Sequence, residues 1–84
     1  MTTFVFTLTC IVNGELNYNT VEGVYFNLEE AKANASNSAK EQARIWGVQP
    51  SIFNKVIGYM TQIELKHPTL DYVKVYTLQK VEAA

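Results

Sequence analysis

A stripe of small residues in the segment 27–46 limits the possible folds of this chain more than any other feature. Apolar residues recur here at every third or fourth position: Leu28, Ala31, Ala35, Ala39, Ala43 and Trp46. This spacing places them along one side of an α-helix. Asn27 is a favourable N-cap residue, and Gly47 followed by Pro50 predicts the end of the helix. Because alanine side chains are small, the helix must lie close to whatever it packs against.

A β-hairpin is predicted before this helix. In the run 4–12, apolar residues alternate with β-branched ones, a pattern typical of a strand. Asn13 and Gly14 follow directly, and this pair tolerates the positive φ angles of a two-residue hairpin turn. A second, antiparallel strand then carries Leu16, Tyr18 and Thr20. Gly23 predicts a break or a bulge in that strand.

Two more strands are predicted after the helix, at 55–65 and 72–81, with a turn at 66–71. Residues 51–54 are expected to form a short extra turn. Helical spacing of some apolar residues in 51–66 keeps a helix there as an alternative. The order of elements is therefore ββαββ. We expect an α+β fold in which a four-stranded antiparallel sheet carries one long helix packed on one face.

Composition limits the number of domains and the classes of partner. A chain of 84 residues has room for one core, so we treat 1–84 as a single domain. The formal net charge of -1 argues against a nucleic-acid binder, since such proteins usually carry a clear basic excess. A single cysteine cannot form an internal disulfide, and no apolar run approaches 18 residues. These features favour a cytoplasmic protein that does not interact with membranes.

The sequence lacks the residue sets that enzymes and cofactor sites require. His67 is the only histidine and lies in a predicted turn, and Cys10 lies among apolar residues without a neighbouring cation to activate it. Zinc needs three or four such ligands. The four glycines are scattered and form no phosphate-binding loop. We therefore predict no catalytic residue, no metal site and no cofactor, and a protein that is not an enzyme.

One helix can cover only one face of the predicted sheet, so the second face becomes the candidate for function. The helix side is predicted to hold Phe4, Phe6, Leu8, Ile57, Ile63, Val73 and Val75. The uncovered face is predicted to hold Ile11 together with the candidate partner-binding residues Val5, Thr7, Met60, Tyr72, Lys74, Tyr76, Leu78 and Lys80. Apolar patches of this kind usually mark interaction sites, and tyrosine and methionine are enriched at protein interfaces.

Three functions fit such a face. The first is a module that docks on another protein as a small regulator or inhibitor. The second is a homodimer that buries the patch between two copies. The third is binding of a single nucleic-acid strand, because Tyr72, Lys74, Tyr76 and Lys80 alternate aromatic and basic residues on one strand face. In size and compactness the chain is similar to accessory proteins of phages and mobile elements, including inhibitors of host defence, a resemblance that no particular motif carries.

Overall fold

The fold consists of one antiparallel sheet and one helix. The computed structural model describes residues 2–55 and 60–82, and the side chains of 2–50 and 61–82. The elements are β1 (Thr2–Val12), β2 (Glu15–Tyr25), α1 (Leu28–Trp46), β3 (Ser51–Lys55), β4 (Met60–Lys66) and β5 (Tyr72–Glu82). The strand order is β2-β1-β5-β4-β3, and every neighbouring pair is antiparallel. The predicted α+β class, with a long helix against one face of an antiparallel sheet, is confirmed.

The sheet differs from the prediction in its last edge strand. The predicted first, second and last strands correspond to β1, β2 and β5. The single strand predicted at 55–65 is wrong, because Lys55 ends β3 and pairs with Met60, which begins β4. The predicted turn at 51–54 is wrong, because these residues belong to β3, which extends the sheet by pairing with β4. The helical alternative for 51–66 is also wrong for the described residues, where β-branched and aromatic side chains favour strands. Residues 56–59, which the prediction placed in its third strand, lie outside the described part of the chain.

The ends of α1 are fixed by the capping residues that the sequence indicates. The Asn27 side chain accepts a hydrogen bond from the backbone N–H of Glu30 at 3.1 Å. At the other end Gly47 has a φ of 67°, a left-handed conformation that costs glycine little. The N–H of Val48 then donates to the carbonyl of Ala43 at 3.0 Å. Both caps satisfy backbone groups that the helix itself leaves without partners.

The first hairpin also follows its turn sequence. Asn13 and Gly14 both have positive φ, at 53° and 78°, as a type I′ turn requires. The register of β1 against β2 shifts at Glu22, beside Gly23, which is the irregularity predicted there. A second shift follows nearer the turn. Such bulges increase the local twist of a strand.

The core lies between α1 and the sheet. From the helix, the buried residues are Ala31, Ala35, Ala39 and Ala43. From the sheet, they are Phe4, Phe6, Leu65, Tyr76 and Leu78. Large sheet residues thus fill the space that the small helix residues leave, and each large side chain stabilises the fold by about 1.5–3 kcal/mol. The alanine stripe is therefore a packing surface.

The face assigned to the last strand in the prediction is wrong. Leu8 pairs with Tyr76 and Phe6 pairs with Leu78, and residues directly opposite each other in a sheet share a face. Tyr76 and Leu78 therefore lie under the helix, 4% and 2% exposed, and not on the uncovered face. Both alternating sets of this strand contain apolar residues, so the period-two pattern could not decide which set faces the helix. The helix side takes the larger side chains.

Candidate interaction surface

The face of the sheet turned away from α1, hereafter the open face, has the two central strands β1 and β5 at its middle. β1 contributes Thr3, Val5, Thr7, Thr9 and Ile11. β5 contributes Val73, Val75, Thr77, Gln79 and Val81. The middle of this face is therefore built from β-branched side chains except for Gln79, with no charged residue among them. Within the described part of the chain, α1 is the only helix, and it lies on the opposite side.

The flanking strands extend the open face on both sides. β2 contributes Leu16, Asn19, Val21 and Val24. Leu16 and Val21 are 66% and 63% exposed, which is high for aliphatic side chains. β4 contributes Gln62, Glu64 and Lys66 from its described side chains. The Nζ atom of Lys66 lies 3.6 Å from the Oε1 atom of Glu64, so the charges of this face neutralise each other at its border.

The structure separates the predicted partner-binding residues. Val5 and Thr7 lie on the open face, as predicted, and both are half-buried. Tyr72, Lys74 and Lys80 share the helix side with the two buried residues of β5, so their predicted placement on the uncovered face is wrong. The side chain of Met60 lies outside the described part of the chain. A binding role for any of these residues stays a prediction.

Lys74 makes its contacts with the helix. Its Nζ atom donates a hydrogen bond to Oε1 of Gln42 at 2.8 Å and lies 5.5 Å from the centre of the Trp46 ring. At that distance the ammonium group is attracted by the negative face of the indole. These contacts hold the end of α1 to β5. The position of Lys74 is therefore explained by helix packing. Lys80 instead pairs with Glu82 at 3.0 Å near the end of the strand.

An aromatic cluster closes the same end of the helix. The His67 ring lies edge-on to Trp46, with ring centres 5.2 Å apart, and also edge-on to Tyr72 at 6.0 Å. The Nδ1 atom of His67 accepts backbone N–H groups from Thr69 and Leu70 at 3.2 and 3.0 Å. The imidazole therefore acts as an acceptor that shapes the turn between β4 and β5.

Burial also changes the titration of the tyrosines on the helix side. The loss of solvent around Tyr76 raises the pKa of its hydroxyl to about 12, with further contributions from Tyr18 and Glu22. Burial also raises the pKa of Tyr18, and the neighbouring Cys10 adds to this effect. Both hydroxyls are neutral at physiological pH. These residues belong to the core and its border, and Cys10 is a buried thiol.

The residues that sequence reasoning missed are the valines of the open face. The sequence pattern places Val73 and Val75 on the helix side and assigns Val21, Val24 and Val81 to neither face. A signal for them was present in the sizes of the side chains. A helix with an alanine stripe leaves room for Tyr76 and Leu78, so the smaller alternate residues of that strand belong on the other face.

Among the residues that the structure describes, no group of three or more histidine, cysteine, aspartate or glutamate side chains is close enough together to hold a metal ion. The helix in that part of the chain is not long and apolar enough to cross a membrane. No protein-family model, no curated protein and no solved structure matches this chain.

Proposed function

We propose that this chain is a protein-binding module whose docking surface is the open face of its sheet. The observation that supports this is a sheet face whose middle consists mainly of valine, isoleucine and threonine side chains and over which no described element packs. On the flanking strand β2, Leu16, Val21 and Val24 are more than half exposed, and groups of exposed apolar side chains often mark interaction sites. Such a module acts by covering a surface of its partner, as a small regulator or inhibitor does, and it needs no catalytic group.

The composition of the open face suits a protein partner. Interface centres are depleted in charged residues, and here the charged pair Glu64 and Lys66 lies on a flanking strand. Threonine hydroxyls provide hydrogen bonds without the solvation cost of a charge. Thr9, for example, donates to the side-chain oxygen of Asn19 at 3.0 Å. A partner that covers this face gains apolar burial and meets few charges that it must neutralise.

Binding of a single nucleic-acid strand has less support than the sequence suggested. That hypothesis needs accessible aromatic rings on which bases stack and cations beside them. Tyr76 is buried under the helix and Lys74 contacts Gln42 and Trp46. None of the open-face residues named above is aromatic, and Lys66 is the one cation among them. We therefore propose a protein as the partner.

The test places a charge on the open face and compares its effect on binding with the effect of the same charge on the outer side of α1. Val5→Lys and Val75→Lys each introduce an ammonium group at a half-buried central position, while Asn37→Lys introduces one on the exposed outer side of α1. We expect the two open-face variants to fold, as measured by circular dichroism, and to bind protein partners at least about 100-fold more weakly. Asn37→Lys should bind as the unmodified chain does.

Association is measured in two ways. The mass in solution reports binding between copies of the chain, and immobilised chain reports capture of other proteins. Folded open-face variants that retain every association of the unmodified chain would contradict the proposed function. Equal losses in Asn37→Lys would also contradict it, because the effect would then not belong to this face.

A further inference from the structure

We infer that the chain covering the open face is a second copy of this protein, packed sheet against sheet about a twofold axis. This rests on the proposed function, because it names the occupant of the same surface. In such an interface the same patch of both subunits meets, so the patch must be complementary to itself. The charge and shape of the open face meet that requirement, and its area is large enough for a dimer.

The area is sufficient for a specific dimer. β1, β2 and β5 each have 11 residues and β4 has seven. With about 3.4 Å per residue and about 4.8 Å between strands, these four strands present a footprint of roughly 600 Å². Two copies face to face therefore bury roughly 1,200 Å², the lower end of the range for stable protein interfaces. We expect a dissociation constant of roughly micromolar size.

The charges of the open face do not oppose self-association. At a twofold interface a residue near the axis lies close to its own copy, so a charge in the middle of the patch would face an equal charge. The central residues from β1 and β5 avoid this problem because they are uncharged. The flanking charges, Glu64 and Lys66, already pair within one copy at 3.6 Å. The whole chain has a formal net charge of -1, so long-range repulsion between copies is weak.

The shape of the open face matches another sheet of the same kind. Sheets that pack face to face lie about 10 Å apart, and side chains from the two inner faces interdigitate. Small β-branched residues such as Thr7 and Val75 permit this close approach, and Thr7 lies directly opposite Thr77 across the centre of the face. A second copy supplies the same pleated surface wherever the first copy is present.

The test begins with the unmodified chain. Sedimentation velocity from micromolar to millimolar concentration should show the mass rising from 9.5 kDa to roughly 19 kDa, as expected for a dimer. In a sample with half of the copies isotope-labelled, filtered nuclear Overhauser spectra should show contacts between copies at the methyl groups of Val5, Val73 and Val75. These measurements require no variant, so they do not depend on how a substitution affects folding.

Variants then separate this inference from the proposed function. Val75→Lys should shift the dimer to the monomer by at least about 100-fold in dissociation constant, and Asn37→Lys should not. A dimer that Val75→Lys leaves intact, or that shows no contacts between copies at the open-face valines, overturns the inference. A chain that stays monomeric at millimolar concentration but loses binding to another protein in Val75→Lys overturns the inference and preserves the proposed function. A monomer in which that variant changes no association overturns both.

Discussion

At the scale of single residues, neighbouring positions of β5 have opposite surroundings. Leu78 lies in the core under α1, 2% exposed, while Thr77 lies on the open face and is half-buried. We expect Leu78→Lys to unfold the chain, because the new charge has no partner in the apolar core and the leucine contacts are lost. Thr77→Lys should reduce the free energy of unfolding by less than about 1 kcal/mol, since its ammonium group can reach solvent.

Urea unfolding of the two variants, followed by circular dichroism in dilute solution, checks this pair. A folded Leu78→Lys protein beside an unfolded Thr77→Lys protein would reverse the assignment of the two faces.

Because the hydroxyl of Tyr76 is buried, we expect the chain to lose stability at alkaline pH. Its pKa rises from 10.0 to about 12 because burial disfavours the phenolate. The unfolded chain therefore loses this proton at lower pH than the folded chain does. The stability from this group is fully present below about pH 10 and is lost as the pH rises to about 12, by about 2 kcal/mol.

Tyr76→Phe removes this titrating group and keeps the ring that stacks on Phe6. Unfolding free energies at pH 9 to 12 should fall less steeply in the variant than in the unmodified chain. Some slope should remain, because the pKa of Tyr18 is raised as well. Identical slopes in both proteins would mean that Tyr76 ionises as easily in the folded chain as in the unfolded one.

At the scale of elements, the alanine stripe sets the distance between α1 and the sheet. Ala39 is 1% exposed and Ala33 is exposed on the same helix. We expect Ala39→Leu to lower the free energy of unfolding by about 1–3 kcal/mol, because the added carbon atoms have no space beneath them. Ala33→Leu should change it by less than about 0.5 kcal/mol, since leucine and alanine have similar helix propensity.

Thermal unfolding under the same conditions compares the free energies of unfolding of Ala39→Leu and Ala33→Leu. Equal stability of the two variants would show that the helix is not held close to the sheet by its small residues.

The elements differ in how well local sequence predicts them. The first hairpin and α1 have strong local signals, since Asn13, Gly14, Asn27 and Gly47 each satisfy a specific backbone requirement. The strand at 51–55 has no such signal. It exists because it pairs with β4, and pairing between strands is a property that a local pattern does not contain.

At the scale of the whole molecule, the sequence predicted that one sheet face lies under the helix, but it did not predict which residues lie on each face. Period-two patterns define two sets of residues per strand, and a shift of one residue exchanges the sets. In β5 both sets contain apolar residues, so only the packing of Tyr76 and Leu78 against the small helix residues determines the choice. Tyr76 consequently belongs to the core, Tyr72 lies exposed on the helix side, and the middle of the open face consists mainly of valine, isoleucine and threonine.

The inferred dimer depends on a second copy covering the open face, and the reactivity of one thiol tests this most directly. Val75→Cys places a thiol at the centre of that face, and Ser38→Cys places one on the exposed outer side of α1. Peptide mapping of the alkylated protein distinguishes either new thiol from the buried Cys10. We expect the thiol at position 75 to become at least about tenfold slower as the protein concentration rises, while the thiol at position 38 keeps its rate. A rate at position 75 that does not change with protein concentration would contradict burial of the open face between two copies.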